Sequence, residues 1–282
     1  MNKDLFVSGN PEKLTLVRQP VLTESRVLAG RYHVRRLVGR GEVADLYLAD
    51  DLFLERIVAI KILHQEAVDD PALLERFRRS AIAFAALRSP HLVNMLDFGC
   101  GSEGAYVVMQ HVEGETIDHE VARAGPLSKP CAEQVLSQVV AGLAEMHRRG
   151  IAHGHVHSSN ILLDRRGDVL LLDRGVAGGS RRAPTSPLPE TDDAHDDFSL
   201  DVFHVGVLLI FILTGVDFGH WKQRANDEVL ARVPEPFAAL ARRALARDPH
   251  DRYSSAVVMN AAVKAALRAP RLPNRREALP EP

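Results

Sequence analysis

The sequence predicts an α+β fold of two unequal lobes: a small five-stranded β lobe with one main helix at 31–113, and a larger, mainly α-helical lobe at 114–268. Three observations predict it. Apolar residues from Arg31 to Leu63 fall in short β-like runs around a turn marked by Gly39 and Gly41. A single stretch at helical spacing, Asp70 to Leu87, interrupts the strands. Beyond Glu113-Gly114 the apolar spacing is helical almost throughout.

Taken in order, residues 1–30 show no strong periodicity and read as an arm, ordered in part at best. The text RYHVRRLVGRGEVADLYLADD then gives strand, glycine turn and strand. Ile57 to Leu63 (IVAIKIL) is a third strand, with Lys61 in its middle. Asp70-Pro71 opens a helix, because Asp caps free N–H groups and proline suits the first turn. Two further strands, Leu92 to Phe98 and Ala105 to Gln110, complete the small lobe. In the large lobe, Ser128 and Pro130 open a helix whose Val135, Val139, Leu143 and Met146 share a face, and Gly150 closes it. Val169 to Leu172 is a short strand, and 176–198, rich in Gly, Pro, Ser and Asp, is a loop. Helices follow near 199–214, 236–247 and 254–267, then a proline-punctuated flexible tail at 269–282.

Bulk properties exclude several classes. The 282 residues, 46% hydrophobic, suffice for a sizeable core. A net charge of -2, from 35 basic and 37 acidic residues, provides no global field for nucleic acid. Cys100 and Cys131 lie far apart without a CxxC partner, which argues against a disulfide framework and for a cytoplasmic setting. The most apolar run, Val202 to Leu213, is shorter than the roughly 20 residues a bilayer needs, so it predicts a buried core helix and no membrane span.

Chemistry-bearing motifs appear in a fixed order. Gly39-Arg40-Gly41 lies between strands, where glycines let backbone amides approach anions. Val58-Ala59-Ile60-Lys61 places a lysine in a buried strand, where an unpaired charge is costly. His153-Gly154-His155-Val156-His157-Ser158-Ser159-Asn160 precedes the apolar Ile161-Leu162-Leu163, and Asp173-Arg174-Gly175 follows the next strand. Leu188-Pro189-Glu190 and Arg247-Asp248-Pro249-His250-Asp251-Arg252 come later. Together, over about residues 31–268, these resemble the protein kinase family of the bacterial, eukaryotic-like Ser/Thr type.

The resemblance implies a slot for ATP or ADP lined by Gly39, Gly41, Leu46, Ala59, Lys61, Met109, His111 and Leu162. It implies Mg2+, or Mn2+ in its place, on Asn160 and Asp173. It implies that Asp201 braces the catalytic loop, that Glu190 pairs with Arg252, and that Phe84, Met95, His153 and Arg174 stack between the lobes.

The chain also departs from the family pattern. His155 stands at the catalytic Asp, Gly154 at the arginine just before it, His157 at the lysine that meets the γ-phosphate, Arg174 at the aromatic of Asp-Phe-Gly, and Ser80 at the glutamate that holds the lysine. Glu75 lies more than a helical turn from that last position. The expectation is therefore a pseudokinase that binds nucleotide weakly and regulates or scaffolds a protein partner in signalling. The alternative is an active Ser/Thr kinase, or another nucleotide-dependent transferase, with a non-standard catalytic loop. Alternating His153, His155 and His157 also suit a metal, a weaker reading because His153 has a structural counterpart in the family and no partner ligand is identifiable by motif. The acidic run 191–197 reads as a solvated loop, with a basic partner peptide as its other use.

Overall fold

The structure, a computed structural model, describes residues 26–101, 104–172, 194–217 and 226–268. Strands β1 (Val27–Leu28), β2 (Tyr32–Arg40), β3 (Ala44–Asp51), β4 (Arg56–Leu63), β5 (Met95–Gly101) and β6 (Gly104–Gln110) form one antiparallel sheet in the order β1-β2-β3-β4-β6-β5. The sheet thus has six strands rather than the expected five. The added strand comes from the region read as an arm, where Val27 and Leu28 pair with His33 and Tyr32. Leu28 is fully buried beneath them while Val27 stays exposed, so both residues gain ladder bonds and Leu28 adds apolar burial.

One face of this sheet carries Tyr47, Val58, Ile60, Ile62 and Val108, all nearly inaccessible. The other packs on α1 (Gln65–Val68) and α2 (Pro71–Ala85) through Leu63, Ala67, Phe77 and Ala81. The predicted cap on α2 forms, with the Asp70 carboxylate accepting from the backbone N–H groups of Ala72 and Leu73 at 2.9 and 3.2 Å. Such caps are typically worth about 1 kcal/mol.

A second sheet, β7 (Gly114–Thr116), β8 (Ile161–Asp164) and β9 (Val169–Leu171), joins the lobes. Leu171 donates to the His91 carbonyl at 2.9 Å and accepts from the Val93 N–H at 3.0 Å, binding β9 to the segment that enters β5. Below it lie α3 (Ile117–Ala124), α4 (Lys129–Arg148), α5 (Ala194–Thr214), α6 (Asn226–Leu230), α7 (Phe237–Ala244) and α8 (Ala256–Arg268). Their core is contiguous: Val135, Val139 and Leu143 of α4 meet Val202, Val205 and Leu209 of α5, Phe237 of α7 and Met259 of α8. The apolar run from Val202 is the buried central helix expected of it, and among the described residues no helix is long and apolar enough to cross a membrane.

Candidate nucleotide slot and catalytic loop

Strand register collects the upper half of the site. Gly39, Leu46, Lys61 and Val107 form one row across β2, β3, β4 and β6, and Leu48, Ala59, Met109 and Met95 form the next across β3, β4, β6 and β5. Opposite residues share a face, so Leu46, Ala59, Lys61 and Met109 project together. Met109 is buried, whereas Leu46, Ala59 and Lys61 remain partly accessible although their neighbours Tyr47, Ile60 and Ile62 are sealed. An apolar face left half open between buried strands is the shape of a slot.

The lower half is β8 and β9. Leu162 lies opposite Leu170, and Leu170 packs with Val107 and Met109 of the upper sheet, which sets Leu162 on the side facing Ala59 and Met109. Half-buried His111 stands in the link between β6 and β7. Between β2 and β3, the Gly41 N–H donates to the Ala44 carbonyl at 2.9 Å. A Cβ on Gly41 would lie 2.6 Å from that same oxygen, so glycine is needed for the loop to close on itself.

The catalytic loop is braced from below by Asp201, fully buried on α5. Its Oδ2 accepts from the His153 N–H at 2.7 Å and from His147 Nε2 at 2.9 Å, and its Oδ1 accepts from the Gly154 N–H at 2.6 Å. Desolvation pushes this carboxyl up, but the hydrogen bonds from His147 and His153 and the nearby rings outweigh it and hold the group below the usual carboxylate range. The tautomer of His147 follows from its partners: Nδ1 accepts from the Ala256 N–H at 3.0 Å, so the ring proton sits on Nε2 toward Asp201. Phe198 stacks on this ring at 4.2 Å. His153, also buried, accepts from the His155 N–H on Nδ1 and donates from Nε2 to the Leu172 carbonyl at 2.9 Å. Its ring meets Phe84 edge-on, and Met95 packs nearby, giving three members of the expected stack; Arg174 lies outside the described residues.

Gly154 takes φ +69°, a left-handed conformation glycine adopts without strain. His155 is half-buried, and its carbonyl accepts from Asn160 Nδ2 at 3.1 Å, which leaves Asn160 Oδ1, the atom a metal would use, outside that bond. His157 is exposed and turned back on the chain: its Nδ1 accepts from the Ser159 N–H and lies 3.1 Å from Ser159 Oγ, capping the short turn Ser158–Asn160. The side chain at the γ-phosphate lysine position is therefore a local cap. Asp173, the second expected metal ligand, and the Leu188-Pro189-Glu190 motif fall outside the described residues, as do the side chains of the acidic run 191–197. Arg252 is buried, donating to the Ala246 and Ser199 carbonyls and standing over the Phe203 ring.

On α2, Glu75 is bound on the outer face by Arg78 and Arg79, each at 2.8 Å, and the hydrogen bonds from these two hold its carboxyl down at about 2. It does not replace the glutamate missing at Ser80. Among the described residues, no group of three His, Cys, Asp or Glu side chains is placed to hold a metal. Sequence reasoning passed over His147, although its position four residues after Leu143 puts it on the buried face of α4. It also passed over Asp45 and His64, a buried pair beside the glycine loop.

A half-open apolar slot under a glycine turn, above a loop braced by a buried aspartate, defines the fold and site of a protein kinase domain. The comparisons agree. A family model described as "Protein kinase domain" matches residues 32–264, and the chain belongs to that family. Serine/threonine-protein kinase PrkC of Bacillus subtilis is 30% identical over 287 residues, covering 90% of this chain and 43% of PrkC. Serine/threonine-protein kinase PknL of Mycobacterium tuberculosis is 33% identical over 268 residues, covering 86% of this chain and 67% of PknL. The chain thus spans less than half the length of PrkC and about two thirds of PknL. A double mutant of the PknI kinase domain of M. tuberculosis superposes with a TM-score of 0.70 at 24% identity, covering 87% of this chain and 98% of that one. Rad53 1-466 in complex with AMP-PNP gives a TM-score of 0.70 at 22% identity, covering 83% and 65%.

Proposed function

We propose that this kinase domain is a pseudokinase: it takes ATP or ADP with a divalent cation between its sheets and acts on a protein partner by binding rather than by phosphoryl transfer. The observation that carries the reading is the catalytic loop, whose brace of His147, His153 and Asp201 is complete while His155 stands where the family keeps its catalytic aspartate. A positioned general base is typically worth about 10² to 10⁴ in rate. An imidazole at that position, whichever its protonation, offers no negative charge to a bound cation. His157 is engaged as a cap on the turn that follows it, where the family keeps a lysine for the γ-phosphate. Lys61, Leu46, Ala59, Met109 and Leu162 fit a nucleotide, and Asn160 keeps an oxygen suited to a hard cation, which when bound would supply positive charge against the phosphates.

The native chain, incubated with magnesium ATP and generic protein substrates, is expected to transfer no phosphate above a Lys61→Met control, and intact-mass spectrometry should show no self-modification. It should still be stabilised by magnesium nucleotide, by roughly 2.7 kcal/mol at 100 times Kd. A mass gain of one phosphate would favour the alternative, an active kinase with His155 as base. A gain of AMP would place the transfer at the other end of the triphosphate.

A further inference from the structure

Behind the slot, on the opposite face of the sheet from Leu46 and Lys61, lies a buried aspartate–histidine pair that the family motifs leave unassigned. Asp45 is the second residue of β3, just after the glycine loop, on the same face of the strand as Tyr47, and is 3% exposed. His64 follows β4 and is 7% exposed. Asp45 Oδ1 lies 3.1 Å from His64 Nε2, and the Tyr47 hydroxyl approaches Asp45 Oδ2 at 3.4 Å. A carboxylate in such surroundings is costly without partners, so the pair is a constraint between the two segments that carry it.

Each segment is held by more than this bond. The His64 N–H donates to the Val43 carbonyl at 2.8 Å, and the His64 carbonyl accepts from Ala67 and Val68 at 3.0 and 3.1 Å, fixing residue 64 to the first turn of α1. On the other side, Arg40 pairs with Asp45 across β2 and β3, and the Gly41–Ala44 bond closes the loop between them. The loop stem is therefore tied to the β4–α1 junction twice, by backbone at Val43 and by side chain at Asp45. Lys61 lies on β4 three residues before His64, and Leu46 opposite Lys61 is the next residue after Asp45.

We infer that Asp45 and His64 are positioning residues for the phosphate end of the nucleotide: acting from the back of the sheet, their bond sets the height of the glycine loop above Lys61. The inference rests on the nucleotide-binding reading above. The loop meets phosphates and not the adenine side, so the pair should govern affinity for a nucleotide and leave affinity for a nucleoside alone.

The test compares magnesium ADP with adenosine, measured by titration on the full chain and on Asp45→Asn and His64→Gln variants. A charge-assisted hydrogen bond contributes enough that the expected loss is about tenfold in ADP affinity, with adenosine unchanged within about twofold. Equal loss for both ligands, or no loss for ADP in either variant, would overturn the inference. His64→Gln keeps a neutral donor and guards against an Asp45 variant that does not fold, which circular dichroism identifies. A native chain that binds neither ligand would overturn the nucleotide-binding reading itself and this inference with it, whereas a native chain that binds ADP beside variants that bind it equally well sinks the inference alone.

Discussion

Replacing Asp201 with asparagine is the sharpest probe of how the catalytic loop is held. Three donors converge on its carboxylate: the N–H groups of His153 and Gly154, and Nε2 of His147. An amide offers one acceptor oxygen and one NH2, so whichever way it is turned, at least one of these donors faces another donor. The side chain is fully buried, and water cannot repair the mismatch. Losing charge-assisted bonds and orphaning a buried donor should cost about 3 kcal/mol, and Asp201→Ala about 3 to 5 kcal/mol. At 2–4 °C per kcal/mol for a chain of this size, Asp201→Asn should melt roughly 6–12 °C below the native protein. Urea titration and calorimetry read the same quantity, and His147→Gln should fall between Asp201→Asn and native, since only one of the three donors is altered. A melting point for Asp201→Asn within about 2 °C of native would refute the brace as an energetic unit, whatever its geometry.

Two further outcomes follow from other parts of the fold. His204 on α5 has an enclosed Nδ1 with no hydrogen-bond partner among the described residues, and burial lowers its pKa to about 4 against 6.5, with Asp201 opposing and His155, His153 and His157 adding to the shift. The depressed value means the unfolded chain takes the proton first, so stability is full above pH 6.5 and declines as pH falls toward 4, by about 3 kcal/mol at 1.36 kcal/mol per unit. His204→Leu should remove that decline; identical pH curves for native and variant would contradict it. Gly41→Ala should weaken magnesium ADP about tenfold, because the new Cβ would meet the Ala44 carbonyl at 2.6 Å and force the loop open, while the melting point of the free protein moves little. Unchanged affinity would show that the loop does not touch the phosphates.

Much of this was legible in the sequence because it is written in local periodicity. Asp70 before Pro71 named its own cap, and the apolar run from Val202 named its own burial. The sixth strand was not legible: Val27–Leu28 is two residues long, and its pairing with β2 depends on a reversal that short-range alternation does not encode. The three-stranded sheet escaped for the same reason, since β7 joins β8 across most of the large lobe's first half. Glu75 showed its sign and spacing, but only the geometry of α2 reveals that two outer arginines hold it. Asp45 was hidden by its type, because an aspartate in an alternating strand is read as the solvent side when here it is nearly sealed.

The same geometry explains how the loop's architecture and its chemistry can part company. Asp201 grips the loop by the backbone N–H groups of residues 153 and 154, and at residue 155 both described bonds run through the main chain, N–H to His153 and carbonyl from Asn160. The Asp201 brace itself therefore does not run through the side chain at 155. Position 154 is similarly indifferent to losing an arginine, since glycine suits its left-handed φ better than any other residue. Position 157 differs, because its imidazole caps the following turn, and His157→Lys would remove an acceptor typically worth about 1 kcal/mol. Rebuilding a kinase loop with Ser80→Glu, His155→Asp and His157→Lys together thus acts against stability at one site while leaving the brace whole. Residues that must act as a unit give non-additive effects, so activity should be sought in the triple variant and not inferred from any single one.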